Sequence, residues 1–346
     1  MTNRRILITG GAGFIGSAFT RKLFDEDNLE FLVIDKMTYS SNLNALPGNP
    51  SEYLRKVDIK DSKGLEGIMM DFDPDYVVHF AAETHVDRSI DGPSEFINTN
   101  IIGTFNLLQS CLKLLNKKKI DQKGRFRFIH ISTDEVFGSS SGDAFEENDA
   151  YLPSSPYSAS KASADHLVRA WHTTYDFPAI IVNTCNNYGP FQNREKLIPK
   201  TIFCLMNGLE IPLYGKGQNI RDWIHVDDHV EAILLVIQKG IIGSSYNIGV
   251  NNQVKNIDIV NSLCELATEM NLELPINLKH HKELIKFVDD RPGHDFCYSL
   301  SSKKIEKELG WKPRYQILEG LKLSIQWYVA NQDKLDNEGY NPEWMK

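Results

Sequence analysis

A short apolar segment, Arg5-Ile6-Leu7-Ile8-Thr9, runs without interruption into Gly10-Gly11-Ala12-Gly13-Phe14-Ile15-Gly16, and a helical pattern follows through Phe24. Few folds accept a strand, a run of spaced glycines and a helix in immediate succession. In a βαβ unit each glycine has a use: the first permits a tight turn, the second lets the backbone approach a pyrophosphate, and the third lets helix pack on strand. The helix N-terminus adds free N–H groups aimed at the anion. The next strand, Phe31-Leu32-Val33-Ile34, ends in Asp35. A carboxylate at that point accepts the hydroxyls of an adenosine ribose and repels a 2′-phosphate, which predicts NAD rather than NADP.

The alternation continues. Tyr53–Val57 reads as a third strand followed by Asp58-Ile59, with Asp58 placed to meet an adenine amino group. A helix is expected over 61–70, and Tyr76-Val77-Val78-His79-Phe80 reads as a buried strand ending in Ala81-Ala82-Glu83-Thr84, whose small residues let a cofactor lie against the backbone. Apolar positions at helical spacing from Phe96 to Leu115 predict one long helix over 93–116, with more apolar surface than a single buried face needs. The strand–helix order up to Val182 predicts an α/β fold with a doubly wound parallel sheet. Past Asn186-Asn187-Tyr188-Gly189-Pro190 the texture changes, so a smaller C-terminal α/β lobe is expected over 189–346, against a dinucleotide-binding unit over 1–188. A helix near 226–238 and a strand at 245–248 are expected to return to the first sheet, giving an interleaved boundary. Helical patterns near 256–270, 302–309 and 317–331 complete the chain, with a polar tail after Asn331.

Bulk properties narrow the function classes. A net charge of -8 with 41% hydrophobic residues excludes a general nucleic-acid or anionic-membrane binder. The lysine run 117–119 reads as a solvated helix end. No apolar run approaches membrane-spanning length, which places the chain in the cytoplasm. Five scattered cysteines without a C-x-x-C pair read as free thiols. His79 with His85, and His225 with His229, match no common metal site, so no metal is expected; Val226-Asp227-Asp228 reads as a helix start.

The chemistry concentrates between 126 and 161. An apolar strand, Phe126–Ile131, delivers Ser132-Thr133-Asp134-Glu135 to a sheet edge, and Tyr157 and Lys161 lie four apart on an expected helix, so they share one face. A lysine ammonium beside a phenol favours the phenolate, and a positive nicotinamide adds to that, which predicts a Tyr157 pKa pulled from about 10 towards neutrality.

Together these segments resemble the extended short-chain dehydrogenase/reductase family in its nucleotide-sugar branch, over nearly the whole chain. The resemblance is carried by Gly10–Gly16, Asp35–Tyr39, Ala81–Ser89, Ser132–Gly138, Tyr157–Lys161, Asn186–Pro190, Glu195–Pro199, Tyr214–Gly217, Arg221-Asp222-Trp223 and Asp290–His294. The adjacent acids Asp134 and Glu135 are similar to those of its 4,6-dehydrating members. The resemblance implies a Rossmann fold, a tightly bound NAD recycled within each turnover, and a nucleotide-sugar substrate, dTDP-glucose or alternatively UDP-glucose. It also implies a homodimer joined through helices near 94–116 and 157–175, and no nucleic-acid or membrane partner.

The same resemblance implies residue roles. Tyr157 removes the C4 hydroxyl proton, Thr133 aligns that hydroxyl, Glu135 takes the C5 proton, Asp134 protonates the departing C6 hydroxyl, and Lys161 holds the nicotinamide ribose. Cofactor contacts fall to Gly10, Gly13, Phe14, Ile15, Gly16, Asp35, Lys36, Met37, Thr38, Asp58, Ile59, Phe80, Ala81, Ala82, Thr84, Thr99, Tyr157, Lys161 and Asn187. Substrate contacts fall to Thr84, Thr133, Asn186, Lys196, Leu197, Pro212, Tyr214, Arg221, Asn256, Arg291 and His294, with the two arginines on the pyrophosphate because a guanidinium fork matches phosphate oxygens. A 4-epimerase or a decarboxylase on this scaffold needs no acid for a C6 hydroxyl, and a silent NAD-binding scaffold needs no proton handlers at all. Against the family pattern, 137–150 is short, His225 replaces a frequent phenol, and Thr184-Cys185 precedes Asn186. The thymine methyl offers discrimination against uracil of roughly 10- to 200-fold.

Overall fold

The computed structural model describes residues 4–26, 29–118 and 124–332; Lys119 and the tail from 333 onward lie outside them. In chain order the strands are β1 (Arg4–Thr9), β2 (Leu29–Asp35), β3 (Leu54–Lys56), β4 (Tyr76–His79), β5 (Arg127–Thr133), β6 (Ala179–Thr184), β7 (Asn186–Tyr188), β8 (Ile211–Tyr214), β9 (Ile220–His225), β10 (Ser245–Ile248), β11 (Gln253–Lys255) and β12 (Ile285–Val288). Seven form one sheet in the order β10-β6-β5-β4-β1-β2-β3, every pair parallel. Helices cover both faces, so its central strands read as continuous apolar runs: all six residues of β6 are buried, as are six of the seven in β5. This is a Rossmann-type doubly wound sheet. Chain order reverses between β1 and β4, and at such a switch point a crevice opens beyond the carboxyl ends of the strands. The glycine loop leaves β1 there.

One apolar layer joins Phe14–Phe24 and Val226–Lys239 to the sheet through Phe19, Val33, Val182, Val230 and Ile233; the opposite layer uses Leu65, Leu107, Leu114, Phe128 and Val168. A third cluster, with Ile202, Leu213, Trp223, Leu263 and Ile325, packs Leu197–Asn207, Asn256–Glu269 and Ile317–Ala330 around the small strands. There β9 pairs with β7 and β11, and β8 with β12. β10 pairs with β6 at the edge of the large sheet.

Two local features position the site. Helix Pro156–Tyr175 starts with Pro156 at its first position and a capping box between Ser155 and Ser158, which fixes Tyr157 in the first turn. Losing the Ser155 cap would cost about 1 kcal/mol. The second departs from expectation: the helix over 93–116 is not continuous α-helix but Pro93–Phe96, a π-helical stretch Ile97–Gly103, then Thr104–Lys117. Apolar spacing cannot reveal the wider turn. Its cause lies in polar contacts, because the Asn100 side chain bonds both the N–H and the C=O of Glu83 and donates to Ser160 Oγ at 2.8 Å. The π turn thus lets Thr99 and Asn100 both face inward, at 7% and 1% exposure.

Candidate active site

The crevice at the switch point is a cleft with about 1520 Å³ of empty space, open solvent at its mouth included. Gly10, with φ 70°, passes so close to the end of β4 that a Cβ would lie 2.6 Å from Ala81 Cα and Ala81 N. Only glycine lets the loop close, and the backbone cradle that results suits a pyrophosphate. At the end of β2, Asp35 is 7% exposed and accepts from Ala12 N (3.0 Å), Met37 N (2.8 Å) and Ser41 Oγ (2.8 Å). Three of about four acceptor positions on this carboxylate are thereby used for ordering its own loops. Met37 itself adopts the left-handed region, at φ 61°. Beside it, Lys36 and Lys60 reach Glu95 at 2.9 and 2.8 Å and Asp58 at 3.4 and 3.7 Å. The two lysines, Lys60 first, pull the Glu95 carboxyl down to about 2. A glycine cradle, a strand-end carboxylate and a small-residue floor at Ala81 and Ala82 fit an adenine dinucleotide.

Across the cleft, the end of β5 passes into a short 3-10 turn, Asp134–Phe137, with Thr133 as its cap. The Thr133 hydroxyl accepts from Glu135 N at 3.3 Å and donates to Asp134 Oδ1 at 3.1 Å. Asp134 is 3% exposed and its Oδ2 has no hydrogen-bond partner among the described residues. Burial first, and the neighbouring Glu135 second, push its carboxyl up to about 8. Burial also raises Glu135, but Arg291, Arg221 and Lys196 draw it back, and Tyr298 OH reaches Glu135 Oε2 at 3.4 Å. The two adjacent acids therefore have different environments: Asp134 is buried with carboxylates raising its proton affinity and Arg221 and the Thr133 hydroxyl opposing, whereas three cations act on Glu135.

At Tyr157 the protein's own groups act against the expected depression. Burial, then the charge of Glu135, push its phenol above its ordinary value, with the Thr133 hydroxyl opposing. Lys161 does not reverse this: its Nζ donates to Ile131 O at 2.8 Å, and burial lowers the ammonium itself to about 8. Four-residue spacing shows that two side chains share a face; it does not show which carbonyl takes the ammonium.

The cleft brings together Gly10, Gly13, Phe14, Ile15, Gly16, Asp35, Lys36, Thr38, Asp58, Ile59, Phe80, Ala81, Ala82, Thr84, Thr99, Thr133, Asp134, Glu135, Tyr157, Lys161, Asn186, Asn187 and Lys196 in its wall. Leu197, Pro212, Tyr214, Arg221, Asn256, Arg291 and His294 are not part of that wall, nor is Met37. Arg221 is 4% exposed and donates to the carbonyls of Ile220, Asp295 and Phe296, with its guanidinium 4.0 Å from the Tyr298 ring centroid. Arg291 donates to Asp87 Oδ1 at 3.3 Å, while Tyr214 OH donates to Asp87 Oδ2 at 3.1 Å. His294 stands against Asp290 at 2.6 Å and edge-on to Tyr214. Sequence reasoning missed Asp87, which joins the two sides, although it lies inside a quoted motif. It also missed Tyr298, and Glu195, whose carboxylate lies 3.5 Å from His85 Nε2. His85 is pushed down to about 3, chiefly by burial and Lys196, so that contact is made by a neutral imidazole.

Comparison with known proteins agrees with this geometry. A dTDP-glucose 4,6-dehydratase of Neisseria meningitidis is 47% identical over 334 residues, covering 95% of this chain and 94% of the relative. One from Haemophilus influenzae is 48% identical, covering 94% and 98%. The crystal structure of a dTDP-glucose 4,6-dehydratase from Streptomyces venezuelae with NAD and dTDP bound superposes with a TM-score of 0.86 at 40% identity, covering 96% of this chain and 99% of that one. Residues 7–323 match the sequence model described as GDP-mannose 4,6 dehydratase. Shared fold, shared length and the matched span lead to one conclusion: the chain belongs to the GDP-mannose 4,6 dehydratase family.

Proposed function

We propose that this protein converts dTDP-glucose to dTDP-4-keto-6-deoxyglucose. The observation that carries the proposal is the pairing of Asp134 and Glu135 at one strand end, in the same cleft wall as Thr133, Tyr157 and Lys161, in environments that separate their proton affinities. NAD, when bound, supplies a hydride acceptor for C4 and a donor of the same hydride to C6. Thr133 orients the C4 hydroxyl, and Tyr157 accepts its proton. The high proton affinity of the buried phenol makes it a strong acceptor once ionised, and Lys161, one turn along the same helix face, would hold the nicotinamide ribose. A C4 ketone acidifies the C5 hydrogen beside it. Glu135, which Arg291, Arg221 and Lys196 draw back towards ionisation, takes that proton; Asp134, neutral at pH 7, gives its own to the leaving C6 hydroxyl. An epimerase or a decarboxylase would leave Asp134 without a task.

Arg291 would exchange the Asp87 carboxylate for the substrate pyrophosphate, and Arg221 would contribute positive field from behind its carbonyl contacts. Leu197, Pro212, Tyr214, Asn256 and His294 would line the nucleoside side, and 189–346 would serve as the substrate lobe against a cofactor unit of 1–188 plus 226–250. Ile97, Ile102 and Phe105, at 49%, 47% and 38% exposure on one side and Tyr175 at 48% on the other, support a homodimer through these two helices. No described helix is long and apolar enough to cross a membrane, and a cytoplasmic location fits a nucleotide-sugar substrate. Purified protein supplied with dTDP-glucose and UDP-glucose in competition tests the proposal: the 4-keto-6-deoxy product of the thymidine sugar should dominate. An epimer as the product would overturn it.

A further inference from the structure

Behind the reactive face, one turn after Lys161 on helix Pro156–Tyr175, Asp165 is 0% exposed. Its Oδ2 accepts from Ser132 Oγ (2.9 Å), Tyr151 OH (2.9 Å) and Asn183 Nδ2 (3.3 Å), and its Oδ1 faces His130 Nε2 at 3.1 Å. Asn183 also donates to Thr133 O at 3.2 Å. One carboxylate thus joins β5 on both sides of Ile131, β6, the Tyr151 loop and the helix that carries Tyr157. Hydrogen bonding alone does not call for a carboxylate here. An asparagine would accept the same three donors and give its amide to a neutral His130, without the several kcal/mol that burying a charge costs. The charge needs a partner, and Lys161, buried at 5% exposure four residues earlier, is the cation in place. Against burial, His130, at 3.1 Å, helps most to hold the Asp165 carboxyl down and Lys161 follows, but neither His130 nor any other described group facing this pocket brings a standing charge to pair with it. Burial holds His130 and His79 neutral, with Lys161 adding to the effect, and Arg169, of the same sign as Lys161, is engaged with Tyr151 OH at 2.8 Å and lies over its ring.

We propose that Asp165 is a positioning residue of the reaction: it fixes the strand end bearing Thr133–Glu135 against the helix bearing Tyr157, and it is the counter-charge of the Lys161 ammonium. Desolvation lowers the Lys161 ammonium and Asp165 opposes that fall, so removing the charge should let Lys161 lose its proton at lower pH. The inference rests on Tyr157 and Lys161 acting as the catalytic pair.

The test is Asp165→Asn in the cofactor-loaded protein. The alkaline limb of C4 oxidation, read as reduced cofactor in single turnovers so that the Asp134 proton is not required, should move down by about one pH unit, whereas Ser132→Ala, which removes a hydrogen bond but no charge, should lower the rate without moving the limb. A second readout needs no turnover. In a Lys161→Met background Asp165 becomes an uncompensated buried charge, so Asp165→Asn should raise the melting temperature there while lowering it in the parent. If Asp165→Asn folds only with Lys161→Met, the pairing stands. Equal loss of stability in both backgrounds, failure to fold in both, or an unmoved limb would overturn it. Failure of the parent to turn over dTDP-glucose would sink the catalytic reading and leave the stability comparison intact.

Discussion

The two ends of the cleft use the same residue types in opposite ways. On the β2 side Glu95 is held near 2 by two lysines, and Asp35 is bonded three times, so both carboxylates are spent on holding loops. On the β5 side Asp134 is driven to about 8 with one oxygen unpartnered. A satisfied carboxylate binds; a carboxylate denied water and left half-partnered keeps a proton to donate. What distinguishes the binding end from the reacting end is how fully each buried carboxylate is partnered, not composition.

Breaking the reactive end should have the largest effect. Asp134→Asn removes the proton donor and should slow dehydration by about 10²- to 10⁴-fold, with C4 oxidation spared and reduced cofactor visible at 340 nm during a single turnover. Equal loss of both steps would show that Asp134 has another role.

The binding end should respond next. Asp35→Ala strands the N–H groups of Ala12 and Met37 and the Ser41 hydroxyl, which should cost on the order of 2–3 kcal/mol of stability and release cofactor on gel filtration. Retention of full cofactor would contradict the role given to this strand end.

The third effect is on stability against pH, and it should have the opposite sign at the two ends. Asp134 has a folded pKa near 8, above that of an unfolded aspartate, so its contribution is complete below about pH 4 and is lost as pH rises towards 8. Asp134→Asn should therefore melt like the parent near pH 4 and gain stability as pH rises to 8, by up to about 5 kcal/mol. Glu95, with a depressed pKa, contributes above the unfolded value and loses that contribution as pH falls towards 2. Because its side chain is 44% exposed, Glu95→Gln should cost no more than about 1 kcal/mol at neutral pH, and less in high salt. Paired melting curves across pH would expose either sign as wrong.

The sequence carried much of this contrast, and the limits of what it carried are physical. The glycine loop, Asp35 and the alternation of strands and helices are local patterns with local causes, so they were legible. Asp134 and Glu135 were legible because adjacency alone implies repulsion. The π turn at Ile97–Gly103 was not, since Asn100 is held by Glu83 and Ser160 from elsewhere in the chain. The commitment of Arg221 to backbone carbonyls was hidden for a related reason: carbonyls have no letter in a sequence. That Lys161 alone does not depress the Tyr157 phenol was not legible, because the ammonium is turned to Ile131 O. Asp165 was overlooked although it continues the four-residue spacing of Tyr157 and Lys161.

The division of labour between the adjacent acids is tested most directly by single turnovers in deuterated water with Asp134→Asn and Glu135→Gln. Asp134→Asn should still exchange the C5 hydrogen with solvent while failing to lose the C6 hydroxyl, and Glu135→Gln should leave C5 unlabelled. Equal labelling, or equal silence, in the two variants would contradict the account.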